Sequence, residues 1–60
     1  MPLITVQMYE GRTVEQKREL AAALTEAVVR IAKTTPEATQ IIFTDIPKHD
    51  WASAGKLASD

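Results

Sequence analysis

Sixty residues with no cysteine and a single histidine make one small domain that neither a disulfide nor a histidine-rich zinc site can staple. A net charge of −1, from 7 basic and 8 acidic residues spread along the chain without a basic run, excludes a nucleic-acid binder. The apolar stretches fall far short of the roughly 20 residues of a membrane span, and no basic segment leads into an apolar signal region, so a soluble, cytoplasmic protein is expected.

A domain this short buries only about 60% of its extended surface. With disulfides and zinc set aside, oligomerisation is the remaining support, and 45% hydrophobic content is high for so small a monomer. An obligate oligomer is the expectation from composition alone.

Pro2–Tyr9 reads as a strand: Ile4, Val6 and Met8 alternate with Thr5 and Gln7 at period 2. Proline is tolerated as a strand's first residue, so Pro2 is either a strand opener or an amine exposed once Met1 is removed. Glu10–Gly11–Arg12 is a loop, with Gly11 free to take positive φ. Thr13 and Gln16 form a T-x-x-Q capping box that opens a helix over about 14–33. Leu20, Leu24, Ala27, Val28 and Ile31 make its apolar stripe, with Lys17, Arg18, Glu26, Arg30 and Lys33 mostly outside it. Pro36 blocks continuation.

Thr39–Ile46, "TQIIFTDI", is the second strand. Ile41 and Phe43 point one way and Ile42 and Ile46 the other, as in a central strand buried on both faces. Strand, helix, strand predicts parallel strands with a right-handed crossover. The remainder, 47–60, reads as a short hairpin or arm turning near Gly55. The expected fold is α+β: a single βαβ unit with a C-terminal hairpin over 1–60, strands near 2–9 and 39–46, completed by oligomerisation because open edges and an uncovered face invite a partner.

His49, Asp50 and Ser53 do not make a credible triad, since no nucleophile elbow or oxyanion loop accompanies them. Trp51 is either an interface residue or a pocket wall. Arg12 is either a surface charge or an anion anchor. Pro2 would be a secondary amine on a rigid ring. An ordinary α-amine titrates near about 7.7–8.0, and apolar walls or a nearby guanidinium disfavour its protonated form, toward the range where a general base works.

Pro2, the loop Glu10–Gly11–Arg12 and the arm Lys48…Trp51…Gly55, at these spacings, resemble the 4-oxalocrotonate tautomerase family over the length of the chain. The resemblance implies a βαβ chain that assembles as a hexamer, a trimer of dimers, from identical chains or from a mixed pair of subunits. It implies Pro2 as general base, Arg12 binding a substrate carboxylate and Trp51 at the family's aromatic pocket position. The implied chemistry moves a proton from C3 to C5 of a small 2-oxo acid through a dienol, with no metal or cofactor. Subunits share each site in that family.

Three departures shape the expectation. Gln40 stands where the best-characterised members carry a second arginine, which polarises the 2-oxo carbonyl; a neutral amide donates a weaker hydrogen bond. That favours a monocarboxylate enol over a dicarboxylate, and it keeps open a non-catalytic oligomeric scaffold. Ala52–Ser53–Ala54–Gly55 replaces a glycine-rich hairpin. Tyr9 and Ser53 stand where the related dehalogenases need an arginine and a carboxylate, which disfavours hydrolytic dehalogenation or hydration.

Overall fold

The computed structural model describes Pro2–Asp60; the expected removal of Met1 lies outside the described residues. The order is β1 (Leu3–Tyr9), α1 (Val14–Ala32), β2 (Gln40–Ile46), a 3-10 turn (Lys48–Asp50), β3 (Ala52–Ser53) and β4 (Lys56–Leu57). β1 and β2 pair in parallel, from Leu3 opposite Gln40 to Tyr9 opposite Ile46. The Gln40 N–H donates to the Pro2 carbonyl (3.0 Å) at one end, and the Glu10 N–H donates to the Ile46 carbonyl (3.1 Å) at the other. The βαβ unit with parallel strands and a C-terminal hairpin is therefore the fold observed.

The period-2 pattern decides what each sheet face does. Ile4, Val6, Met8, Ile41 and Phe43 share one face and are half-buried. That face carries α1, because Asp45 on the same side reaches Lys17 of the helix (Nζ–Oδ2 2.7 Å). The opposite face presents Leu3, Thr5, Gln7, Gln40, Ile42 and Thr44 to solvent.

α1 starts where its cap dictates. Thr13 Oγ1 accepts the Gln16 N–H (3.1 Å) and Gln16 Oε1 accepts the Thr13 N–H (2.9 Å), so two otherwise unpaired donors are satisfied. Arg18 and Glu15 form an exposed ion pair on the first turns. The helix ends at Lys33, whose backbone is left-handed (φ 60°). Thr35 then ties the connection: its hydroxyl accepts the Ala38 N–H and its carbonyl accepts the Thr39 hydroxyl. Thr13→Ala is expected to cost about 1 kcal/mol. Thermal unfolding at fixed protein concentration should show a Tm about 4–8 °C lower.

The helix stripe differs from expectation at two positions. Ile31 is 68% exposed rather than seated on the sheet. Lys17, expected outside the stripe, is half-buried and paired with Asp45. Lys17 is drawn to the covered side by Asp45, and the exposure of Ile31 follows from length. A 19-residue helix spans about 28 Å, whereas seven-residue strands span about 23 Å, so both helix ends overhang. Val14 at the other end is likewise exposed.

β2 also differs from a fully enclosed central strand. Ile42 is 53% exposed, because none of the described residues covers the second sheet face. Among the described residues none is fully buried. The radius of gyration is 14.3 Å, against about 10 Å for a compact domain of this length. The described residues of a single chain therefore form one covered sheet face and enclose no interior.

The arm is a hairpin with a two-residue turn at Ala54–Gly55, φ 53° and 79°. Two positive φ values define the turn whose twist matches paired strands. Gly55 adopts this freely, while Ala54 is held there at a modest steric cost. The Ala58 N–H donates to the Trp51 carbonyl (2.7 Å) and closes the arm on itself.

Candidate active site

The residues expected to form the site fall at two ends of the sheet. Pro2 and Gln40 lie at the end where both strands begin. The hydrogen bond from the Gln40 N–H to the Pro2 carbonyl fixes the backbone beside the proline nitrogen, and Pro2 is half-buried there. Gln40 pairs with Leu3, so its exposed side chain belongs to the open face of the sheet.

Arg12 and Trp51 lie at the opposite end, where both strands finish. Arg12 is exposed and lines an open groove of about 490 Å³ with Met8, Gln16, Lys17, Glu19 and Leu20. Trp51 follows the 3-10 turn that Pro47 initiates, and its own N–H donates to the Lys48 carbonyl (3.3 Å). One chain thus brings Pro2 to Gln40, and separately brings Arg12 and Trp51 to one end of the sheet.

Two residues at the second end escaped the reading of sequence as site residues. The Tyr9 ring lies 4.7 Å from that of Trp51, centroid to centroid, tilted by 60°. The Lys48 ammonium lies 5.6 Å from the Tyr9 ring centroid. The signals at hand were that Tyr9 ends its strand immediately before Glu10–Gly11–Arg12, where the related dehalogenases carry an arginine, and that Lys48 opens the arm bearing Trp51; the contact itself joins residues far apart in the chain. His49 Nε2 sits 3.8 Å from Asp50 Oδ1, beyond hydrogen-bond distance, with both side chains exposed. Among the described residues no helix is long and apolar enough to cross a membrane.

Comparison with known proteins is consistent along the whole chain. The family model for tautomerase enzymes matches residues 2–60. A probable tautomerase from Ralstonia nicotianae is 40% identical over 57 residues, covering 95% of this chain and 88% of that protein. The crystal structure of the YwhB homologue of 4-oxalocrotonate tautomerase superposes with a TM-score of 0.95 at 42% identity, over 98% of this chain and 97% of that one. A heterohexamer 4-oxalocrotonate tautomerase from Chloroflexus aurantiacus gives a TM-score of 0.94 at 32% identity, over 100% and 97%. By fold, by length and by sequence, the chain belongs to the tautomerase family, as an isomerase of the 4-oxalocrotonate tautomerase type.

Proposed function

We propose that this chain is a cofactor-independent enol–keto tautomerase of small enol carboxylates, with Pro2 as its general base once Met1 is removed. The observation that carries this reading is that the match to the tautomerase family begins at Pro2 itself and runs to the last residue. The fixed backbone beside the proline nitrogen supports it, since a base must hold its lone pair at one place.

The steps follow from the side chains. The Pro2 nitrogen accepts the 2-hydroxyl proton of the enol, and the electron pair left on the 2-oxygen closes to the C2 carbonyl as the C2–C3 π pair moves onto carbon. The same nitrogen returns the proton to carbon, at C3 of a simple enol or at C5 of a dienol. Arg12 holds the carboxylate with its planar fork of N–H donors. The Gln40 amide donates to the 2-oxygen as charge develops there. Trp51 walls the pocket and keeps water from the intermediate.

The separation of the two ends requires more than one chain. The seven residues of β1 span about 23 Å between Pro2 and the loop of Arg12, several times the length of a small enol carboxylate. Arg12 and Trp51 of neighbouring copies complete the site that Pro2 and Gln40 begin. The exposed Leu3 and Ile42 and the absence of an interior support self-association, for which we propose a hexamer. Identical chains suffice; a second kind of subunit is the arrangement named for the Chloroflexus relative. A cytoplasmic location completes the reading.

The test is ketonisation of phenylenolpyruvate and of 2-hydroxymuconate by protein whose intact mass shows Met1 absent. Turnover is expected, and a sample that retains Met1 is expected to be inactive, because its Pro2 nitrogen is an amide. No turnover by the Met-free protein would leave the non-catalytic scaffold, the reading that Gln40 favours. Gln40→Arg is expected to raise kcat/KM for the dicarboxylate about tenfold, the difference between a neutral and a charge-assisted hydrogen bond. An unchanged value would place Gln40 away from the substrate.

A further inference from the structure

Tyr9 occupies a junction. It is the last residue of β1, pairs with Ile46 across the ladder, and hands the chain directly to the loop that bears Arg12. Its ring is half-buried and contacts Trp51 at a 60° tilt, with the centroids 4.7 Å apart, inside the range of about 4.5–7 Å over which aromatic pairs attract. Lys48 stands over the same ring at 5.6 Å, within the range of a cation–π interaction. Trp51 is meanwhile fixed by its backbone: its N–H is bonded to Lys48 and its carbonyl to Ala58. The indole therefore has one support from its own segment and one from β1.

We propose that Tyr9 is a positioning residue that holds the Trp51 indole as a pocket wall, and that this wall selects enol monocarboxylates bearing a flat aromatic substituent. The inference rests on the function proposed above. Three features carry it. Arg12 is the carboxylate anchor at this end of the sheet, and it accounts for one carboxylate of the substrate. Of the ammonium groups beside Arg12 at this end, Lys17 is paired with Asp45 and Lys48 faces the Tyr9 ring, and Gln40 is neutral, so a second carboxylate meets no unpaired cation among them. A tilted pair of aromatic rings, held rigid, presents a π-surface on which a substrate ring packs edge to face.

The experiment compares phenylenolpyruvate with 2-hydroxy-2,4-pentadienoate, a monocarboxylate of the same enol class without a ring, on Met-free protein. The wild-type protein is expected to favour the aryl substrate in kcat/KM. Tyr9→Leu should lower the aryl-to-pentadienoate ratio about three- to tenfold, carried by the KM of the aryl substrate. Tyr9→Phe, which keeps the ring, should restore the ratio. Trp51 is the sole tryptophan, so its emission reports the wall directly: Tyr9→Leu should shift it to longer wavelength and Tyr9→Phe should not. A wild-type protein without aryl preference overturns the proposal and requires no variant to fold. So does a Tyr9→Leu protein, assembled by size-exclusion chromatography, that loses both substrates in equal proportion. If Pro2→Ala stays fully active, the underlying tautomerase reading fails; if Pro2→Ala is inactive while the ratio ignores Tyr9, only this inference fails.

Discussion

Pro2→Ala is expected to lose about 100-fold or more of kcat while its assembly state is unchanged. A positioned general base contributes about 10²–10⁴-fold, and this substitution removes the positioning rather than the amine. In proline the nitrogen belongs to a ring that locks φ, so its lone pair has one direction. In alanine the terminal amine rotates, and its lone pair is aimed only part of the time. The fold tolerates the change because the contact that pins this residue is its carbonyl, which accepts the Gln40 N–H in either case. Steady-state kinetics with size-exclusion chromatography in parallel is the check. The pH profile adds a sign. The base works unprotonated, so wild-type rate falls as pH drops through the amine's titration. An unchanged kcat in Pro2→Ala protein of verified mass would remove Pro2 from the mechanism.

Elements were legible in this sequence wherever the physics is local. The Thr13–Gln16 box needs only three residues of spacing, and it forms as written. The alternation of Ile4, Val6 and Met8 chose the face that α1 covers. Gly55 marked its turn, while Ala54 gave no sign that it would adopt positive φ, because the hairpin geometry imposes that conformation against the residue's own preference.

What stayed hidden depends on contacts far along the chain. Lys17 read as a solvated helix charge, and only its approach to Asp45 places it on the covered side. Ile31 fitted the stripe by periodicity, yet periodicity carries no information about where the sheet beneath it stops. Tyr9 looked like a strand end until Trp51 and Lys48 were brought to it. The candidate site was legible as a set of residues, through resemblance, but not as a place. Pro2 and Arg12 are near in sequence, and an extended strand puts them at opposite ends of the sheet.

That separation makes the open sheet face the second point of leverage. Ile42→Asp is expected to dissolve the assembly and abolish activity together. Ile42 sits mid-strand on the uncovered face, pairs with Thr5 and is 53% exposed in one chain. If copies cover this face, the substitution buries an unpaired carboxylate, at several kcal/mol per chain and once in every copy. A chain with no interior of its own has nothing to absorb that penalty, because a small domain's margin is itself only several kcal/mol. Loss of assembly should then appear as loss of folding in circular dichroism, not as a stable monomer. For the wild type the same logic makes Tm rise with protein concentration, since association stabilises by mass action. Exposed substitutions that touch nothing stay within about 0.5 kcal/mol. Ile42→Asp protein that keeps the wild-type mass by light scattering, with the wild-type Tm, would show that this face is open in solution, and a site shared between copies would have to be built on another surface.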